Sequence, residues 1–199
     1  LYYEQGADEL IYQDTVASLY QRNSLTEIIT KTANNIFIPI TVGGGLRTLD
    51  DINKVLRAGA DKVAINTAAI INPDFISQAS RTFGSSTIVI AIEAIKQPDN
   101  TYLAYTDNGR EYTGVDAISW AKEAEERGAG EILLTSIDQE GTGNGFDLEL
   151  IKRVSECVTI PVIAHGGGAN DSHISESING SGADAIALAS MLHYAALIR

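Results

Sequence analysis

The sequence predicts an α/β fold with a parallel sheet, of the (β/α)8 TIM-barrel class, and three observations carry that prediction. Strand-like and helix-like segments alternate along the 199 residues, the order that covers a parallel sheet with helices. The apolar runs at residues 87–92 and 131–136 lack polar alternation, which suits strands buried on both faces. The chain also repeats itself. Gly6-Ala7-Asp8-Glu9-Leu10-Ile11 matches Gly128-Ala129-Gly130-Glu131-Ile132-Leu133 at an offset of 122. Ile38-Pro39 followed by Gly44-Gly45 matches Ile160-Pro161 followed by Gly166-Gly167 at the same offset, and Gly59-Ala60-Asp61 matches Gly182-Ala183-Asp184 at 123. Three matches in one register mark a duplicated multi-strand unit.

The duplication favours a barrel over an open doubly wound sheet. Of seven core strands, the second copy holds four, beginning at residues 87, 131, 160 and 184, and the first holds three, beginning at 9, 38 and 61. The counterpart of residues 87–93 would lie before residue 1. The expectation is therefore one barrel domain over residues 1–199, made of two half-barrel repeats, whose first strand and helix precede residue 1 and whose last helix follows Arg199. An intact seven-stranded domain is the other reading.

In chain order, residues 9–14 form a strand, and Ser24-Leu25-Thr26-Glu27 is a capping-box pattern opening a helix with Ile28 and Ile29 on its inner face. Residues 38–42 are the next strand, ended by Gly43-Gly44-Gly45, and Thr48 caps a helix through Arg57. Residues 61–66 are again strand-like. Asn72 then offers a capping side chain before Pro73 in the first turn of a helix to about Phe83. The β-branched run at 87–92 ends at Glu93, and residues 101–112 around Asp107-Asn108-Gly109 read as a hairpin appended to the sheet rather than part of it. Helices at 115–127 and 147–157, the second opened by Asp147, flank the strand at 131–136. Strands at 160–164 and 184–188 follow.

Composition narrows the function classes. A 44% hydrophobic, 20% charged chain is ordinary for a globular domain. No apolar run approaches the roughly 18 residues of a membrane span and no leader pattern is present, so the expected location is the cytoplasm and no membrane is involved. The net charge of −12 argues against nucleic acid. Cys157, the single cysteine, falls on the apolar face of a predicted helix and reads as a buried structural thiol. No His/Cys/Asp/Glu spacing points to a metal.

Glu131-Ile-Leu-Leu-Thr-Ser-Ile-Asp138, Val42-Gly-Gly-Gly45, Ala60-Asp-Lys-Val-Ala-Ile-Asn-Thr67 and Ala124-Glu-Glu-Arg-Gly-Ala-Gly130 resemble the cyclase subunit of imidazole glycerol phosphate synthase, the HisF family. The resemblance spans essentially the whole chain. It implies a duplicated (β/α)8 barrel that takes ammonia from a HisH-like glutaminase partner in a heterodimer. The ammonia is used to cleave a bis-phosphorylated ribulosyl-formimino nucleotide and close an imidazole ring in histidine biosynthesis, with no metal or organic cofactor.

A substrate with a phosphate at each end suits two copies of one half-barrel. The glycines after each Ile-Pro strand, Gly44-Gly45 and Gly166-Gly167, let backbone N–H groups approach phosphate, and the equivalent strand ends Asn66-Thr67 and Ala189-Ser190 add donors. Glu140-Gly141 in the loop after residue 136 complete the expected phosphate set. Glycines that merely turn the chain are the alternative. The resemblance implies a catalytic pair of aspartates at the ends of strands 1 and 5; strand 1 would precede this chain, and strand 5 ends at Glu93 where the family pattern has Asp. Two further departures are Glu140, where Asp is usual, and His165, where Ser is usual. His165 reads as a general acid/base or phosphate donor, or else as a packed residue. His173 reads as a solvated helix residue, and His193, beside the second phosphate site, is open.

Glu9, Lys62 and Glu131 lie at strand starts, on the face opposite the one where barrel chemistry gathers. The resemblance implies that they gate ammonia from the glutaminase; a salt-bridged plug is the plain reading. Asp14-Thr15-Val16-Ala17-Ser18-Leu19-Tyr20, Ile92-Glu93-Ala94 and Ser190-Met191-Leu192-His193-Tyr194 also resemble HisF-like proteins that channel ammonia for sugar amidation in surface-polysaccharide biosynthesis. A non-catalytic scaffold that activates a glutaminase is the third reading.

Overall fold

The computed structural model describes residues 2–14 and 26–197, in two compact units. The first runs to Ile90 and includes Arg127–Ala129. Its sheet places β1 (Leu10–Gln13), β2 (Ile40–Gly43) and β3 (Lys62–Ile65) side by side and parallel, and the start of β4 (Ile88–Lys96) pairs with β3. Its helices are α1 (Thr26–Ala33), α2 (Leu49–Arg57), α3 (Thr67–Ile71) and α4 (Asp74–Phe83). Ile29, Ile40, Val42 and Ala60 form a core against Tyr12, Val55 and Leu56. Helix α2 opens with a reciprocal capping box: Thr48 Oγ1 accepts from the Asp51 N–H at 3.1 Å, and Asp51 Oδ2 accepts from the Thr48 N–H at 3.0 Å.

The second unit holds Ala91–Glu126 and the chain from Gly130 onward. Here the rest of β4 neighbours β7 (Glu131–Ser136), followed by the parallel strands β8 (Val162–His165) and β9 (Ala185–Ala187). Between β4 and β7 come the hairpin of β5 (Tyr102–Thr106) and β6 (Glu111–Asp116) and helix α5 (Ala117–Glu126). Helices α6 (Leu148–Ser155), α7 (Asp171–Ser181) and α8 (Ser190–Leu197) complete the unit. Asp147 caps α6 through its side chain, which accepts from the Leu150 N–H at 3.0 Å. The fold is α/β, of the TIM-barrel class, and among the described residues the path of neighbouring strands contains the seven core strands expected. Among the described residues no helix is long and apolar enough to cross a membrane.

The duplication reappears as a set of equivalent bonds inside each unit. The registers Leu10↔Ile40 and Ile132↔Val162 are the same pairing 122 residues apart. The Leu10 N–H donates to the Pro39 carbonyl at 3.0 Å, and the Ile132 N–H to the Pro161 carbonyl at 2.9 Å. Asp61 Oδ2 accepts from the Ile40 N–H at 2.8 Å, as Asp184 Oδ2 does from the Val162 N–H at 2.9 Å. Thr48 caps α2 as Asn170 caps α7, again 122 positions on.

The structure corrects several expectations. The hairpin is not an appendage: β5 pairs antiparallel with β4 from Glu93↔Tyr105 to Lys96↔Tyr102, and this pairing carries β4 past Glu93 to Lys96. Ile29 is buried but its neighbour Ile28 is 47% exposed, since consecutive helical residues lie about 100° apart. Asn72 closes α3 rather than capping α4; Pro73 takes the N-cap position without a side-chain bond. Cys157 lies beyond the end of α6, half-buried, its thiol 3.6 Å from the Ile118 carbonyl. Burial, then the Glu125 charge, pushes that thiol up, leaving it unreactive. His173 is half-buried rather than solvated, and its Nδ1 accepts from the Ala169 N–H at 3.3 Å. Residues 24 and 25 of the capping box and 15–20 of the polysaccharide-type motif lie outside the described residues.

Candidate active site

Strand pairing places the candidate side chains: His165 ends β8, whereas Glu93 lies within β4, ahead of its end at Lys96. Strand β4 runs through five buried residues before reaching Glu93, which is only partly exposed. Its Oε2 accepts from the Gly109 N–H at 3.0 Å, a bond delivered by the hairpin turn. Burial dominates the electrostatics, the nearby Glu140 charge adds to it, and the hairpin amides oppose it; together they raise the Glu93 carboxyl to about 7. A partly buried carboxylic acid that titrates near neutrality is equipped to take and return protons.

His165 ends β8, the register partner of Thr135 on β7, and the Thr135 hydroxyl lies 3.1 Å from His165 Nδ1. Burial pushes the imidazole below its ordinary range, against an upward pull from Glu140. At neutral pH His165 is therefore mostly uncharged, fit to exchange a proton or to hydrogen-bond as a neutral group. Glu140 is exposed, yet its charge bears on both Glu93 and His165. Its loop companion Asp138 has a different task, accepting from the Lys96 N–H at 2.8 Å and so pinning the loop to the end of β4.

The paired glycines follow one geometry in both copies. Gly44 has φ +101° and Gly166 φ +94°; a Cβ on Gly44 would collide with the Asp14 carbonyl oxygen, and one on Gly166 with that of Ser136, again 122 residues apart. Gly167 is closed in by the loop after β7, where the Gly145 N–H donates to its carbonyl at 2.9 Å. In the first unit, β2 and β3 are neighbours, so the ends carrying Gly44-Gly45 and Asn66-Thr67 are adjacent. In the second, β8 and β9 bring Gly166-Gly167 next to the segment leading to Ala189-Ser190, where Ser190 opens α8.

At the other strand termini, Lys62 is the first residue of β3 and Glu131 the first of β7, while Glu9 immediately precedes β1. Lys62 Nζ donates to both Glu9 carboxylate oxygens, at 3.1 and 3.2 Å, with the lysine side chain only 17% exposed. Two groups that sequence reasoning missed also belong to this description. Thr135 was read only as a strand residue and Gly109 only as a turn residue, because their contacts with His165 and Glu93 depend on strand pairing that local composition does not encode.

A relative from Legionella pneumophila, named imidazole glycerol phosphate synthase subunit HisF, is 64% identical over 166 residues, covering 83% of this chain and 78% of the relative. Proteins of the same name from Lachnoclostridium phytofermentans and Trichormus variabilis are 50% and 48% identical, over 97% and 99% of this chain and 75% and 78% of their own lengths. The family model described as histidine biosynthesis protein matches residues 1–197, and the chain belongs to that family.

Proposed function

We propose that this chain is the cyclase subunit of imidazole glycerol phosphate synthase, acting in histidine biosynthesis on a bis-phosphorylated ribulosyl-formimino nucleotide with ammonia from a glutaminase. The relatives' names, at 48–64% identity over most of the chain, support the activity. The observation that carries the assignment of chemistry is the partly buried Glu93, poised near neutral pH. Closing the ring requires the attacking nitrogen to lose protons and the departing nitrogen to gain one. A carboxyl half-ionised at working pH serves both halves of that exchange. Neutral His165, steadied by Thr135, is assigned a second proton-transfer or hydrogen-bonding role.

The two phosphates are assigned to Gly44, Gly45, Asn66 and Thr67, and to Gly166, Gly167, Ala189 and Ser190. Gly141 rather than the Glu140 carboxylate faces phosphate in this scheme, since like charges repel; the Glu140 charge tunes Glu93 and His165 instead. Glu9, Lys62 and Glu131 are assigned to the entry of ammonia, with the glutaminase docked over these strand starts and the complex in the cytoplasm. In the full-length protein, Glu93→Gln should lower cyclisation with free ammonium by at least about 1000-fold while leaving substrate affinity within about threefold. Retained turnover would remove Glu93 from the chemistry, and loss of binding alongside activity would make its role structural.

A further inference from the structure

Strand β4 has nine residues, whereas its parallel neighbours have three to six. The excess is the segment that β5 holds by antiparallel pairing, beginning at Glu93↔Tyr105. The root of the hairpin is fastened to α6: Tyr102, fully buried, donates its hydroxyl to Asp147 Oδ1 at 3.0 Å, and Arg153 Nη1 donates to the Asn100 carbonyl at 3.1 Å. Midway, the β5–β6 register shifts between Ala104 and Tyr105, so that Ala104 faces Val115 while Tyr105 faces Tyr112. Thr113 and Gly114 form the bulge, with Gly114 at φ +74°. Bulges bend a ribbon and re-aim what lies beyond them.

What lies beyond is an unusual turn. Asp107, Asn108 and Gly109 have φ of +52°, +58° and +74°, three consecutive left-handed residues, in the residue types that tolerate that region best. The turn delivers the Gly109 N–H to Glu93 and rests on Ile137, where a Cβ on Gly109 would come within 3.1 Å of the isoleucine side chain. Ile137 is in turn tied to β4 through its N–H, which donates to the Ala94 carbonyl at 3.0 Å.

We propose that the turn at residues 107–109 is a positioning element of the active site: the Gly109 amide fixes the Glu93 carboxylate, and the Asp107 carboxylate on the same turn acts against it. This rests on the assignment of Glu93 as the proton-transfer group. Burial raises the Glu93 carboxyl most; the Glu140 charge on the loop after β7 and then the Asp107 charge on the hairpin add to it, while the amides of Gly109 and Asn108 counter them. Glu93 is thus held between two opposed influences of the same turn, an amide that favours the anion and a carboxylate that disfavours it.

The test measures Glu93 directly and kinetically in the full-length protein. Carbonyl-side-chain 13C NMR on glutamate-labelled protein, with the Glu93 resonance identified by its loss in Glu93→Gln, follows its titration; ammonium-dependent turnover gives the matching pH profile. Gly109→Ala, strained at positive φ and pressed against Ile137, should lift the tip and move the Glu93 midpoint and the rising limb of turnover up by about one pH unit. Asp107→Asn keeps a residue suited to the left-handed region and should move both down by about half a unit. A merely structural hairpin would not move them in opposite directions. The proposal is overturned if Asp107→Asn leaves the midpoint in place, or if both variants shift it the same way. Should Gly109→Ala fail to fold, Asp107→Asn alone decides. If the NMR midpoint moves as expected but turnover does not follow it, the hairpin proposal stands for the carboxylate and the catalytic assignment of Glu93 fails.

Discussion

Removing the charge from Glu93 should make the protein more stable while stopping its chemistry. Burial holds this carboxyl at about 7 against an ordinary 4.5, so the folded protein binds the proton more tightly than the unfolded chain does. Its contribution is most favourable below about pH 4.5 and is lost as pH rises through 7; above that, an ionised carboxylate is being kept in a site that resists it. Integrating between the two values, ionisation destabilises the fold by about 3 kcal/mol at pH 8 and only about 1 kcal/mol at pH 5. Glutamine has nearly the same shape, and its amide oxygen can still accept from the Gly109 N–H, though its NH2 group needs a partner and gives back about 1 kcal/mol. Glu93→Gln should therefore be more stable than wild type by about 2 kcal/mol at pH 8, with little or no gain at pH 5. Urea unfolding of both proteins at the two pH values is the assay. A variant less stable at pH 8, or a gain independent of pH, would mean that Glu93 is not held protonated by its surroundings and would refute the electrostatic account of the site.

Other expected outcomes concern the repeated framework and the strand starts. Asp61→Ala and Asp184→Ala each leave a strand N–H, of Ile40 and Val162, without its carboxylate acceptor; each should cost about 2 kcal/mol by denaturant unfolding, and a cost confined to one copy would deny their equivalence. Lys62→Ala, which breaks the two bonds to Glu9, should lower the ratio of glutamine-dependent to ammonium-dependent turnover at least about threefold; an unchanged ratio would leave the pair a simple plug. Phosphate or sulfate at high concentration should occupy one or both glycine sites in crystals of the full-length protein, and two empty sites would count against their assignment.

What the sequence made legible depended on whether the determining interactions were local. Residues 131–136 were delimited correctly because a strand buried on both faces shows as an unbroken apolar run between glycines. Asp147 announced α6 because a capping side chain acts within three residues. Helix α3 gave no signal, since five residues are too few to display a period. The end of β4 was misjudged for a different reason: its last residues are strand because β5 pairs with them, and Glu93 itself, a polar residue after an apolar run, looked like a terminus. The same distance hid the Glu93–Gly109 contact, which needs the hairpin, its bulge and its left-handed turn together. The candidate catalytic side chains were readable from position along the chain; the groups that orient them were not.

The two copies separate framework from chemistry. Their backbone bonds coincide position by position: strand starts donating to proline carbonyls, aspartates accepting from the next strand, glycines pressed on the carbonyl 30 residues earlier. A scaffold so repeated constrains the side chains that build it, since each has a buried N–H or a carbonyl contact to satisfy. At the strand ends that constraint relaxes, and the copies differ. Gln13 pairs with Gly43 in the first, and its side chain fills the space a Cβ on Gly43 would need. At the matching positions of the second, Thr135 pairs with His165 and their side chains meet. A histidine at Gly43 would require the Gln13 side chain to move aside, whereas the second copy already has, in place of that glutamine, a threonine that meets the imidazole. The repeated contacts are those of backbone amides, carbonyls and the carboxylates that accept from them, and the copies part where side chains of neighbouring strands meet beyond that framework.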